Sequence, residues 1–338
     1  MTSQSITVVG AGVIGLWQAL SLARAGHRVT LMEASAEPFA AASSRLAGAM
    51  LVPDCEAEAS PPIVRELGRH GLTLWRETYP GVVSNGSLVV AHARDRGELT
   101  RFARMTERHT LVEGPALAQL EPDLAGRFAS GLHFADEAHM VTPRALQFLL
   151  DAVRRAGCDV QLGRAWRDGS DDGIVVDCRG FAAREDLPDL RGVRGERFLV
   201  HTREIALQRP VHLLHPRQPL YVVPWDEGVF MIGATVIESE DTGPVSLRSA
   251  LELLGLAYAL HPAFGEAQLI ESATGIRPSF PDNVPRAVVR DGGRRILVNG
   301  AWRHGFLLAP VMAEATLAQL NGETHPLLRV DSSCDQDL

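Results

Sequence analysis

The chain has 338 residues, enough for two domains, and its 46% hydrophobic and 22% charged content excludes a largely disordered protein. A net charge of −8 excludes the basic face that a nucleic-acid partner needs. All 33 basic residues are arginines, so lysine Schiff-base chemistry and a P-loop lysine are excluded as well.

In chain order, residues 6–9 read as a short strand that runs into the turn GAGVIG. Residues 16–24 read as a helix stopped by Gly26, and residues 27–32 as a second strand ending at Glu33. This is a βαβ unit with a dinucleotide fingerprint. Gly10 permits the tight turn, Gly12 lets the backbone approach a pyrophosphate, and Gly15 lets helix and strand pack closely. The helix start offers N–H groups to phosphates, and Glu33 offers a carboxylate to a ribose. A glycine-rich turn without a ligand is the competing reading. The glycines do not choose between NAD and FAD.

The small-residue stretch 40–53 follows, AAASSRLAGAMLVP, where an NAD domain would continue with βα units. Gly48 marks a point of close ligand approach there, or the stretch is a plain loop. Residues 63–79 are helical in pattern, and Asn85-Gly86 signals a turn before a strand ending at Ala91. Residues 96–120 read as short helices. Residues 141–157 form an amphipathic helix with Thr142 as N-cap, Pro143 in the first turn and Gly157 as stop. Residues 173–180 read as a buried strand ending in a glycine turn. Strands RFLVHT, LYVVPW and VFMIGATV follow, then a helix over 246–260. Residues 296–310 read as a strand, a glycine-rich turn and a helix, and the tail after Pro326 as frayed.

The four cysteines, Cys55, Cys158, Cys178 and Cys334, form no CxxC pair, which predicts free thiols and no metal site. No charged leader precedes ITVVGAG, and glycines interrupt the apolar stretch 8–25, which predicts a cytoplasmic protein without a membrane span.

Five stretches carry a family resemblance: GAGVIG with Glu33, SSRLAGAML, GVRGE, YVVP…IGAT, and TGIRP…NGAWRHGFLLAP. Together they resemble the glycine oxidase and D-amino-acid oxidase family of FAD flavoproteins, most nearly its bacterial glycine oxidases, including those of thiamine biosynthesis. The likeness covers nearly the whole chain. It implies an α/β, two-domain fold. A Rossmann-like FAD-binding domain of the glutathione-reductase type spans 1–80, 140–195 and 265–330. An antiparallel-sheet substrate domain is interleaved at 81–139 and 196–264.

The resemblance implies FAD, held non-covalently, because members with covalent FAD use a cysteine near the C-terminal active-site region and Cys334 lies well beyond it. It places Val13 and Ile14 at the pyrophosphate, Glu33 and Ala34 at the adenosine ribose, and Ala42, Ser43, Ala47, Gly48 and Ala49 along the flavin. Gly180 joins these, and Ala301, Trp302, Arg303, His304, Gly305, Phe306 and Leu307 hold the flavin's pyrimidine end. Independently, the glycines at 300 and 305 permit close approach, and the helix start beside them favours negative charge.

The substrate site centres on Arg277, whose guanidinium can pair bidentately with a carboxylate. Tyr221, one of three tyrosines, offers a hydroxyl to the same carboxylate, and Arg303 is a second clamp. The resemblance implies hydride transfer from the α-carbon of a small amino acid, most nearly glycine, with dioxygen as final acceptor. No protein catalytic residue is required, and His304 reads as environment rather than base. Arg45, Leu46, the VVDCRG stretch and His304 depart from the family's usual residues, which bears on substrate preference. D-amino acids or N-methylglycine as substrate, or an acceptor other than oxygen, remain open, as does a homo-oligomer.

Overall fold

The computed structural model describes residues 3–169 and 173–330. Its α-helices among these are α1 (Val13–Arg24), α2 (Pro62–Thr78), α3 (Arg96–Met105), α4 (Gly114–Leu120), α5 (Thr142–Arg155), α6 (Leu247–Leu260) and α7 (Gly305–Asn321).

The first sheet runs in the order Leu328–Val330, Arg286–Arg290, Arg295–Asn299, Ile174–Asp177, Ser5–Val9, Arg28–Glu33, Asp159–Leu162. Ser5–Val9 lies inside it, next to the central strand Ile174–Asp177, and pairs in parallel on both sides. A strand buried on both faces reads as a continuous apolar run, which is why ITVV has no alternation. The second sheet runs Ile237–Glu238, Arg191–His201, Val229–Gly233, Leu220–Pro224, Val211–Leu214, Ser87–Ala91, Ser130–Phe134, Thr110–Glu113, and Gln268–Ser279 pairs along Arg191–His201. It is antiparallel except where Val211–Leu214 meets Ser87–Ala91. One core lies between the first sheet and α1, α2, α5 and α7; another lies between the second sheet and α6.

Several expectations shift. Helix α1 begins at Val13, three residues earlier than its apolar run suggests, because Gly12 is extended and serves as N-cap. Thr142 is the first residue of α5 rather than its cap, since its hydroxyl donates to the Ala47 carbonyl at 2.6 Å. The 96–120 segment holds a strand, Thr110–Glu113, between its helices. Leu328–Val330 is not frayed: it pairs with residues 287–289. Cys334 lies outside the described residues, whereas Cys55, Cys158 and Cys178 are buried free thiols.

Helix α7 contains Pro310. Proline lacks the N–H that would bond the carbonyl four residues back. The Phe306 carbonyl is thus free, and the buried Trp75 indole donates to it at 2.6 Å. This contact ties α2 to the start of α7. A Cβ on Gly71 would stand 2.0 Å from the Leu307 oxygen, so only glycine lets the two helices meet there.

Candidate active site

Two helix starts converge beside the first sheet. At α1, Gly10 has φ +97° and a Cβ there would strike the Cys178 carbonyl at 2.7 Å. A Cβ on Gly15 would strike the Gly10 oxygen at 1.8 Å, so strand and helix approach as the fingerprint requires. The intrahelical ladder opens with Leu16 N–H to Gly12 O, which leaves the Ile14 and Gly15 N–H groups in the first turn. The Val13 N–H donates to Ser44 Oγ at 3.2 Å. Glu33 closes this end: it accepts from the Ala11 N–H at 2.8 Å and the Ser35 N–H at 2.9 Å, with Ala34 between.

Helix α7 begins at Gly305, where a Cβ would lie 3.8 Å from the Val13 side chain. The turn before it is tight: Gly300 has φ +81°, Trp302 has φ +46°, and His304 N–H bonds Ala301 O at 2.7 Å. The Trp302 N–H bonds Pro278 O at 3.0 Å, which docks the turn on the strand carrying Arg277. The Trp302 indole nitrogen is buried without a partner among the described residues. Gly180 has φ +59°, open room beside it, and its carbonyl held by Asn299. Two helix starts, a glycine-lined turn, a carboxylate at the strand end and an orphaned indole N–H fit a dinucleotide with its negative pyrophosphate.

The 42–49 segment is strapped between the sheets. Ser43 Oγ donates to Ile276 O at 2.8 Å, Met140 N–H bonds Ala49 O at 3.0 Å, and Thr142 holds Ala47. Ala42 is the extended residue that leads into the short turn Ser43–Leu46. The room beside Gly48 is taken by Met231 and Val223, so its missing side chain serves packing. Arg45 pairs with Glu271 at 3.2 Å, and Leu46 packs over Gly275.

Of the three proposed clamps, the fold unites Tyr221 and Arg303 in direct contact and sets Arg277 nearby. Arg303 Nη2 donates to the Tyr221 hydroxyl at 2.9 Å and to Glu56 Oε1 at 2.9 Å, and Tyr221 donates to the same Oε1 at 2.8 Å. Arg277 crosses over Gly195, where a Cβ would overlap its guanidinium, and donates to the Thr235 carbonyl at 3.0 Å. Among the described residues no carboxylate pairs with it. Burial, then the Arg303 charge, holds Arg277 down at about 10, while Glu56 opposes them.

Glu56 is the residue that sequence reasoning missed. It sits in a short 3-10 turn, Cys55–Glu58, within an acidic run that looks like a solvated surface. The structure buries it to 6% exposure. Burial pushes its carboxyl up, but the Arg303 charge and the Tyr221 hydroxyl outweigh this and leave it below the ordinary value. Its Oε2 has no hydrogen-bond partner among the described residues. His212 stacks on Tyr221 with centroids 4.1 Å apart, and burial holds its imidazole down at about 3. His304 meets Ser60 Oγ at 2.8 Å and burial holds it at about 4, so both rings are neutral near pH 7. Behind the turn, buried Glu137 accepts from the Asp54 and Cys55 N–H groups at 3.0 and 2.7 Å and from the Ser87 hydroxyl.

No group of three or more potential metal ligands occurs among the described residues, and no described helix is long and apolar enough to cross a membrane. The family model described as DAO, FAD dependent oxidoreductase, matches residues 5–319. The putative thiamine biosynthesis oxidoreductase ThiO of Rhizobium etli is 50% identical over 91% of this chain and 94% of its own. Glycine oxidase of Geobacillus kaustophilus is 27% identical over 90% of each chain. The crystal structure of glycine oxidase from that organism shares the fold, with a TM-score of 0.78 at 22% identity, over 96% of this chain and 97% of that one. The mixed α/β two-sheet fold, the fit of the nucleotide cradle and these likenesses agree: the chain belongs to the DAO family of FAD-dependent oxidoreductases, and its cofactor is FAD.

Proposed function

We propose that this enzyme oxidises a small amino acid, glycine first, and that its product enters thiamine thiazole synthesis. The observation that carries the reading is Arg277: a largely buried guanidinium, without a carboxylate partner, on the strand against which the 300–305 turn docks. A cation in that position asks for an anionic ligand, and a planar fork suits a carboxylate. FAD bound along the cradle would supply the acceptor for a hydride, that is, for two electrons and one proton. Arg277 fixes the carboxylate and thereby aims the α-carbon; the neutral rings of His212 and His304 add no competing charge. Glycine, dioxygen and water then give glyoxylate, ammonia and hydrogen peroxide. The relatives' names, ThiO and glycine oxidase, support the substrate and the pathway.

In this reading the first sheet belongs to the FAD-binding part and the second to the substrate part. Val13, Ile14, Glu33 and Ala34 face the adenine half of FAD, and residues 42–49, Gly180 and 301–307 face the flavin half. FAD is non-covalent, so acid or heat should release it from yellow protein; flavin retained on the precipitate would reject this. Exposed Leu247, Leu251 and Tyr258 on α6, beside Leu269 and Ile270, offer an apolar face for a homo-oligomer. The deciding experiment is anaerobic titration of the holoenzyme with glycine, sarcosine and D-alanine, followed by loss of flavin absorbance. Glycine should bleach it most efficiently. Preference for D-alanine or sarcosine would move the substrate, and bleaching without reoxidation by dioxygen would move the acceptor.

A further inference from the structure

The clamp residues do not carry equal charge into the site. Arg303 is already answered, since Glu56 Oε1 accepts from both Arg303 and Tyr221 in a closed ring of contacts between 2.8 and 2.9 Å. Arg277 is unanswered by any described carboxylate. His212 and His304 are buried and neutral, and Tyr221 is held protonated by burial and by Glu56. Behind Glu56, the buried Cys55 thiol is pushed up by burial and then by Glu137, and burial lifts Glu137 itself to about 8. Two guanidiniums and one carboxylate leave a single net positive charge. A second feature is independent of this ledger: Glu56 Oε2 is buried and meets no donor among the described residues. A buried acceptor left unpaired costs free energy that a ligand's N–H would recover.

We propose that Glu56 is a specificity-determining residue: it cancels Arg303, leaves Arg277 as the one open cation, and so matches the site to a monocarboxylate whose amine donates to Glu56 Oε2. This rests on the amino-acid reading above and deepens it. A ligand with one carboxylate and a neutral amine brings one negative charge, so the closed site is electrically balanced. The zwitterion would leave one positive charge uncompensated, and a dicarboxylate one negative charge. The site therefore favours the amine-deprotonated form, which is the form able to release a hydride. A carboxylate at position 56 also repels a second carboxyl group on the ligand.

The test uses holoenzyme and two redox-inert probes, acetate and malonate, with dissociation constants read from the perturbed flavin absorbance near pH 7.5. Wild type should bind acetate more tightly than malonate. Glu56→Gln keeps an acceptor for Tyr221 and Arg303 but removes the negative charge, so the acetate-to-malonate preference should shift towards malonate by about tenfold or more. Glu56→Asp keeps the charge and should retain the wild-type order. Wild type preferring malonate overturns the proposal without any variant. An unmoved ratio in Glu56→Gln overturns it too, as does Glu56→Asp behaving like Glu56→Gln. Failure of glycine, sarcosine and D-alanine to bleach wild-type flavin strikes the amino-acid reading instead, and the anion titrations then judge Glu56 alone.

Discussion

Arg303 and Glu56, 247 positions apart in the chain, meet at 2.9 Å. The contact joins the turn before α7 to the 3-10 turn after residue 54, and both partners also meet the Tyr221 hydroxyl. It assigns different work to two arginines that look alike in the sequence. Arg303 is held in place by a protein carboxylate, while Arg277 meets the Thr235 carbonyl and no described carboxylate, which supports its proposed role as the ligand's clamp.

Arg277→Ala should therefore damage turnover without damaging cofactor binding. Breaking a buried charge pair costs about 3–5 kcal/mol, so kcat/KM should fall by roughly two to four orders of magnitude. Arg277→Lys should recover only part, because an ammonium lacks the planar fork. The check is anaerobic flavin bleaching by sub-saturating glycine, with FAD occupancy measured first. Equal rates in wild type and variant would remove Arg277 from the site.

Glu33 acts through two layers. It pins the Ala11 and Ser35 N–H groups that shape the end of the cradle, and in the proposed reading it also meets a ribose of FAD. Loss of a charge-assisted hydrogen bond costs about 1.5–3 kcal/mol, so Glu33→Ala should weaken FAD binding by roughly tenfold to a hundredfold. Fluorescence titration of the apoprotein with FAD measures it, and an unchanged dissociation constant would exclude the role.

Glu137 should leave a mark on the pH dependence of stability. Burial raises its carboxyl from 4.5 to about 8 against the pull of Ser87 and the Cys55 N–H. Between those values the native protein holds a proton that the unfolded chain releases. The contribution of this group to stability is thus complete below about pH 4.5 and is lost as pH rises through about 8. Glu137→Gln removes the titration and can still accept from Asp54 and Cys55. Its melting temperature should decline less steeply than that of wild type between pH 5 and 8. Parallel curves would contradict this.

Two glycine substitutions should diverge. Gly71→Ala drives a methyl to within 2.0 Å of the Leu307 oxygen, forces α2 away from the start of α7, and should destabilise by about 1–3 kcal/mol while loosening FAD. Gly255→Ala, in exposed α6 with open space around it, should stabilise by about 0.5–1 kcal/mol from helix propensity. Thermal melts with and without added FAD compare them. Equal melting temperatures for the two variants would refute the packing account of Gly71.

Local chemistry made much of the cofactor cradle legible. GAGVIG needs glycines at 10, 12 and 15 for reasons that hold within one βαβ unit, and Glu33 follows at the strand end. The turn at 300–305 was equally readable, because glycine at 300 answers a left-handed backbone and the helix begins where the sequence turns apolar. Strands 130–134, 159–162, 211–214, 268–279 and 286–290 are not legible in the local pattern. Gln268–Ser279 shows why: its first half is largely exposed and mixes polar residues with Leu269 and Ile270, and only its long pairing with Arg191–His201 makes it a strand.

What the sequence by itself determined was the cradle, the family likeness and the candidate arginine, because each depends on residues close together in the chain or on motifs kept intact. The tertiary structure alone decided which charges meet. Glu56 lies in a run of small and acidic residues that resembles any solvated loop, and Tyr221 lies inside an apolar strand. Pairing energies depend on distance and on exclusion of water, and neither is written in local order. Only the folding of three distant segments onto one point buries Glu56 against Arg303 and Tyr221, and leaves Arg277 without a carboxylate partner among the described residues.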